Sequence, residues 1–380
     1  MPSLETFIIS DEDGFQALAN DWNRLASLTN ADSVFFRHEW SDASWQWLKQ
    51  EGCELCIVCV RRDGNLIGLC PLVRRRITLA GIRMRKLSSL AVPDNQEFSL
   101  LADPQDVECV AAALFSALRN GTVQWDLLDF EKLPCELPST KALLNAASES
   151  RYAIQETLRH ANPGIDLRGG WDAYYGRRSR RLKKGNNLVR NRLERDGKVV
   201  EIQCIDSSND DLDLQSLLRV LEDISARSWK SVTGLTLDNP GPGAFLARLS
   251  ELASRNAWLL VWLLLIDQKP VAMEYQLEFN GVVSGLRADF DDEYSDSSPG
   301  TLLNWRIIEQ LFGRDASYYA LGPGSNAYKA RWVEESRELV DVVIYGNSLR
   351  ANAVRTLQLY VKPFVKRILG KNGASSREDD

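Results

Sequence analysis

Residues 258–290 read WLLVWLLLIDQKPVAMEYQLEFNGVVSGLRADF, and this stretch decides the fold. Its opening, 258–266, is unbroken apolar sequence, too short for the ~20 residues that cross a bilayer and suited to a strand buried on both faces. After the reversal at Asp267-Gln268-Lys269, residues 271–279 alternate. Val271, Met273, Tyr275, Leu277 and Phe279 take one face; Glu274, Gln276 and Glu278 take the other. Asn280-Gly281 signals a two-residue hairpin loop, so 282–290 returns as a third strand. Counting outward from that loop pairs Phe279 with Val282, Tyr275 with Leu286 and Glu274 with Arg287, with Asp289 two places along. Apolar then meets apolar and acid meets base. The trio Glu274, Arg287 and Asp289 suits acid–base chemistry and anchoring, and equally an ordinary ion pair on a sheet surface.

The same pattern stands earlier in the chain. Asp63-Gly64-Asn65-Leu66-Ile67-Gly68 lies between apolar runs 56–60 and 66–73, as Asp267 to Ala272 lies between 258–266 and 271–279. Each copy leads to a strand, an apolar-faced helix and another strand: 86–92, 107–119 and 125–130, against 282–290, 301–312 and 318–321. Repeated order of this kind implies two similar half-molecules, only the second equipped for chemistry. A chain of 380 residues suits two such units. They are expected at 1–160 and 161–346, joined at His160-Ala161-Asn162-Pro163-Gly164, with 347–380 a basic helix broken at Pro363 and a polar tail. The first half opens with a helix capped near Ser10, carrying Phe15, Leu18, Trp22 and Leu25 on one stripe, and a second helix at 39–49.

Composition narrows the class. With 44% hydrophobic and 26% charged residues the chain reads as globular. The N-terminus lacks a basic segment followed by an apolar core, and seven cysteines without an export signal suit free thiols in a cytoplasmic setting. Cys53, Cys56 and Cys59 have iron–sulfur spacing, but on a strand Cys56 points away from the other two. Only His38 and His160 are available, so a three-histidine metal site is excluded and no metal is expected. Residues 177–198 hold ten Lys/Arg against two acids in a chain of net charge −6. Tyr175, Leu182, Val189 and Leu193 share one face there, so this is an amphipathic helix. Its charges can meet the phosphates of a cofactor or of RNA, or lie against the acidic remainder of the protein. The C-terminal helix can likewise touch anionic lipid or pack on its own domain.

Ser298-Pro299-Gly300-Thr301-Leu302-Leu303 reads as a capped helix start with Pro at the first position. A glycine among the free N–H groups of that turn permits close approach of an anion. Ser228-Trp229-Lys230, the hairpin at 267–272, Ser298 to Leu303, Leu321-Gly322, Tyr328-Lys329 and Trp332 occur in that order between 228 and 345. Together they resemble the GNAT-superfamily acetyltransferase-like proteins associated with cellulose and exopolysaccharide biosynthesis (the BioF2-like acetyltransferase domain), which are similar to Fem-type aminoacyltransferases. The resemblance implies an α/β fold of two tandem GNAT-like domains, each a mixed, mainly antiparallel sheet flanked by helices. It implies acyl transfer from acetyl-CoA or another acyl-CoA to the amine of a small cell-envelope or polysaccharide precursor. The fuller glycine-rich pyrophosphate loop of GNAT enzymes is reduced here to Pro299-Gly300-Thr301. On this reading Asp289, Glu274 and Lys329 are catalytic, Arg287, Ser298, Gly300, Thr301 and Leu302 hold the donor, and Trp229, Lys230, Tyr328 and Arg331 meet the acceptor. An aminoacyl-tRNA donor bound by the basic helix, and a non-enzymatic scaffold at a polysaccharide synthase, are the other readings.

Overall fold

The computed structural model describes residues 4–207, 212–324, 328–333 and 335–357. The chain begins with β1 (Leu4–Ile9), α1 (Glu12–Ala17), α2 (Ala19–Thr29), α3 (His38–Leu48), β2 (Glu54–Arg62), β3 (Asn65–Leu79), β4 (Ile82–Ser89) and β5 (Leu101–Ala102). Next come α4 (Val107–Arg119), β6 (Leu127–Pro134), α5 (Pro138–Glu149), β7 (Ala153–Asp166), α6 (Trp171–Arg177), α7 (Arg180–Arg195), β8 (Val200–Asp206), α8 (Leu214–Ala226) and α9 (Pro240–Arg255). The last elements are β9 (Leu259–Ile266), β10 (Lys269–Phe279), β11 (Val282–Phe290), α10 (Pro299–Leu311), β12 (Tyr318–Ala320), β13 (Glu335–Tyr345) and α11 (Leu349–Thr356).

One continuous sheet carries all of this, in the order β1-β2-β3-β4-β6-β13-β7-β12-β11-β10-β9-β8, with β5 added on β3. The repeat is present in detail. β1 to β4 pair antiparallel and β4 then pairs parallel with β6; β8 to β11 pair antiparallel and β11 then pairs parallel with β12. Both first hairpins turn through two left-handed residues, Asp63-Gly64 and Asp267-Gln268. Both carry a bulge at the same distance from the turn. Ile67 is left out between the pairs Arg61–Leu66 and Val60–Gly68, and Val271 between Leu265–Pro270 and Leu264–Ala272.

The halves exchange their last strands. β7, which ends the first half, lies against β12; β13, from the end of the second, inserts between β6 and β7. Residues 160–164, the expected joint, are thus part of a strand. Gly164 is where β7 passes Tyr318: a Cβ there would sit 1.9 Å from the Tyr318 hydroxyl. One face of the sheet is covered jointly, α2 and α3 packing with α8 and α9 through contacts such as Trp40 on Phe245, ring centroids 5.3 Å apart. The other face holds two separate cores, one under α4 and α5, the other under α7 and α10.

Phe15, Leu18, Trp22 and Leu25 are buried as their stripe requires. Helix 107–119 matches α4, and β9 is buried along its whole length. Asp11 rather than Ser10 caps α1, its carboxylate accepting from Gly14 N–H. The basic helix breaks at Arg178-Ser179, where the Ser179 hydroxyl caps α7. β3 runs on past Val73 through Arg74-Arg75-Arg76, and the edge strands β1 and β8 and the strand β13 add to the elements expected from the sequence. Cys56 packs in a different core from Cys53 and Cys59, as strand alternation demands. Pro363 and the tail lie outside the described residues. Among the described residues no helix is long and apolar enough to cross a membrane.

Candidate active site

The expected pairing of Glu274 with Arg287 does not form. Register holds from Phe279–Val282 to Gln276–Gly285, and then Leu286 is an extra residue. Tyr275 therefore pairs with Arg287, Glu274 with Ala288 and Met273 with Asp289. One inserted residue sends every later side chain to the opposite face. Glu274 ends on the α10 side of the sheet, while Arg287 and Asp289 end on the α8 side. The bulge falls where β11 parts from β12, whose parallel pairing stops at Ser284–Ala320.

On the α10 side Glu274 is 5% exposed and sits inside a hydrogen-bonded chain. The Tyr319 hydroxyl donates to Glu274 Oε1, and Gln276 Nε2 donates to the same oxygen at 2.7 Å. Gln276 is itself fixed by Trp262 Nε1, which donates to Gln276 Oε1 at 2.9 Å. Gly285 is small for this reason: a Cβ there would meet the Tyr319 hydroxyl at 3.1 Å and Glu274 Oε1 at 3.2 Å. The carboxyl group thus lies beside Gly285, next to the point where the β11–β12 pairing stops. Burial raises the Glu274 pKa, opposed by hydrogen bonds from Tyr319 and Gln276 and by the Lys329 charge. Burial lowers that of Lys329, opposed by Glu274 and reinforced by Lys132. Lys329 Nζ donates to the Gly322 carbonyl at 2.8 Å. Asn304, from α10, stands beside the Glu274 carboxyl group, buried and with its amide atoms otherwise unpaired.

On the α8 side Asp289 is held by Lys230 Nζ at 2.5 Å, by the Ser225 hydroxyl at 2.9 Å and by Arg287 Nε at 3.4 Å. Arg287 donates Nη2 to the Leu235 carbonyl, while Nε and Nη1 are buried without a hydrogen bond. The first half reaches this cluster through residues 93–97. Asp94 lies 3.8 Å from Arg287, and Gln96 Nε2 donates to the Gly285 carbonyl at 2.7 Å, bridging toward Gly322. Lys132 Nζ ties this segment down through the Pro93 and Asn95 carbonyls, at 3.0 and 2.5 Å.

The helix start behaves differently from its sequence signature. Ser298 adopts a left-handed conformation, φ 49°, and its hydroxyl caps nothing, so the first turn of α10 has no side-chain cap. Gly300 lies against Phe290 at the end of β11. Of the expected residues, the fold brings Glu274 with Lys329 and Tyr328, and Asp289 with Arg287 and Lys230. Ser298, Gly300, Thr301 and Leu302 form a third group. Trp229 is 55% exposed rather than a buried wall, and Arg331 is exposed. Gln276 shared the alternating face of Glu274 in the sequence, and Tyr319 stood in the expected strand. Gln96 and Asp94 had no local signal, because each meets a partner about 190 residues away.

Residues 179–330 match the family described as "Acetyltransferase (GNAT) domain". The whole fold is similar to that of FemX, at 10% identity, covering 88% of this chain and 96% of that one, TM-score 0.55. It is similar to the C-terminal domain of a putative lysylphosphatidylglycerol synthetase from Agrobacterium fabrum, at 13% identity, covering 91% and 98%, TM-score 0.52. A tandem GNAT protein from the clavulanic acid biosynthesis pathway also matches, at 12% identity, covering 91% and 100%, TM-score 0.50. No curated protein matches by sequence. The fold is therefore mixed α/β, with a large, mostly antiparallel sheet flanked by helices, and is similar to that of a tandem GNAT protein.

Proposed function

We propose that the protein is an N-acyltransferase that moves an acyl group from an acyl-CoA-type thioester, acetyl-CoA included, to the amine of a small molecule. The observation that carries this reading is the buried Glu274 carboxyl group, held by Tyr319 and Gln276 next to the point where the β11–β12 pairing stops. The amine nitrogen attacks the thioester carbonyl carbon, the C–S bond breaks, and the sulfur leaves as a thiol. The proton lost by the amine passes to Glu274, whose carboxylate burial makes more basic, with Tyr319 as a relay. Lys329, half-buried beside Glu274, offers positive charge to the oxyanion. The start of α10 suits the donor's pyrophosphate through the Gly300 N–H, while Thr301 and Leu302 turn their N–H groups back to the Ser298 carbonyl.

Asp289 is already engaged by three partners and serves better as an anchor than as the base. Its cluster with Arg287 and Lys230, walled by Trp229, lies on the opposite face and suits the acceptor, with Tyr328 and Arg331 at the other rim. A cell-envelope or polysaccharide precursor handled in the cytoplasm is the acceptor that the sequence resemblance favours. The test is a thermal-shift screen of acyl-CoA thioesters followed by thiol release with added amines. A thioester at ~100 times its Kd adds about 2.7 kcal/mol of stability. Absence of any shift together with absence of thiol release sinks the reading.

A further inference from the structure

The first half carries an arginine cluster that acyl transfer does not use. The β3–β4 hairpin projects: β4 pairs with β6 only from Lys86 onward, and Arg85 is bonded there by Asp126, so residues 82–84 have no strand partner on that side. In the second half β11 meets β12 from its first residue, Val282. On one face of the projecting ribbon Arg76 lies directly opposite Arg85, with Arg74 on the same side of β3. Like charges placed opposite each other destabilise a strand pair. Asp126 and Gln124 engage Arg85, and Glu54 engages Arg74. Arg76 makes no ion pair or side-chain hydrogen bond among the described residues, and neither does Arg119 at the end of α4. The equivalent corner of the second half is neutralised, Arg314 pairing with both Asp206 and Glu278.

Arg74, Arg76 and Arg85 line a cleft of about 880 Å³ between the ribbon, the turn at Glu51-Gly52 and the loop 121–124, and Arg119 lines the cleft beside it. Its size falls in the range of small-molecule sites. A second cleft of about 320 Å³ adjoins it, sharing Arg85, Gly121 and Gln124, and its walls include Leu118, Val123, Trp125 and Tyr152. Cationic and apolar compartments therefore meet along one edge. We propose that this pair of clefts binds a nucleotide-class ligand, its phosphates against Arg76, Arg85 and Arg119 and its planar organic part against the Trp125–Tyr152 wall. Guanidinium groups bind phosphate oxygens bidentately, so Arg76 and Arg119, which make no ion pair among the described residues, form a ready receptor with Arg85, itself held in place by Asp126. The ribbon has no exposed apolar tip, Leu79 and Ile82 packing toward α11, which speaks against a membrane surface.

The experiment is calorimetric titration of the full chain with ATP, pyrophosphate and adenosine. ATP should bind, with pyrophosphate and adenosine each at least tenfold weaker. The double variant Arg76→Ala/Arg119→Ala should lose at least tenfold in ATP affinity while keeping its unfolding temperature, and Glu274→Gln should bind ATP as the wild type does. No ATP binding at millimolar concentration overturns the proposal, as does binding indifferent to the two arginines. Pyrophosphate binding as tight as ATP removes the organic compartment, binding lost in Glu274→Gln relocates the site to the acyl-transfer site, and an RNA duplex that binds when ATP does not makes the surface a polynucleotide contact. The acyl-transfer reading stands or falls separately, on thiol release.

Discussion

The two halves share a turn, a bulge and a strand order, yet differ at two positions that decide what each can do. Three residues past the bulge the first half has Cys70 and the second has Glu274; two further on it is Leu72 against Gln276. Cys70 and Leu72 fill an apolar core under α4, whereas Glu274 and Gln276 build a polar network under α10. A second bulge, at Leu286, occurs in β11 and has no counterpart in the unbroken β3–β4 ladder. One scaffold thus carries an apolar core in one copy and a buried polar network in the other, set by a pair of polar side chains, beside one inserted residue. The first half contributes the segment 93–97, which bonds to its partner at Gly285.

The sharpest way to break this comparison is to remove the polar centre. Glu274→Gln should lower turnover by ~10³-fold, about 4 kcal/mol of transition-state stabilisation, measured as thiol release. Cys70→Ala, at the matching place, should leave turnover within about twofold of wild type because it touches no reacting group. Equal losses in both would make the difference between the halves structural only.

The first half buries acids of its own, and one of them, Glu97, offers the next test. Burial raises its pKa to about 7, opposed by Arg337. The folded protein then holds this proton where the unfolded chain has released it, so stability falls as pH rises from near 4.5 to about 7. Glu97→Gln removes that loss. It should be more stable than wild type at pH 8, by about 3 kcal/mol at ~1.4 kcal/mol per unit, and nearly equal at pH 4. Urea melts at the two pH values measure it, and a difference independent of pH would count against the assignment.

A smaller effect should come from Asp126 beneath the arginine ribbon. Burial would raise its pKa, but hydrogen bonds from the Arg85 side chain and backbone and from Ser348 bring it down to about 2. That contribution is present above pH ~4 and is lost as pH falls toward 2, because only the folded state keeps the carboxylate ionised there. The stability difference between wild type and Asp126→Asn should therefore shrink by ~1–2 kcal/mol over that interval. A constant difference would mean that Asp126 matters for packing alone.

Much of the fold was legible because apolar alternation and turn chemistry are local. The repeat, the nine-residue run that becomes β9 and the hairpin at Asn280-Gly281 all follow from neighbours a few residues apart. The candidate site was legible in its members and not in its arrangement. The sequence groups Glu274, Arg287 and Asp289, yet the bulge at Leu286 puts Glu274 on one face and the other two on the opposite one. Glycine at 285 was the available hint, since a glycine within a strand often marks a bulge or a close approach. Gln96 and Asp94 were illegible in principle, because their meaning comes from the other half of the molecule.

The traded terminal strands set a timetable for synthesis. β6 leaves the ribosome early, but the neighbour that covers its edge, β13, is translated some 200 residues later. At ~5–20 residues per second that edge stands bare for roughly 10–40 s, a template for pairing with another nascent chain. Slowing translation between residues 134 and 335 should therefore raise the aggregated fraction, and supplying 335–345 as a separate peptide should lower it.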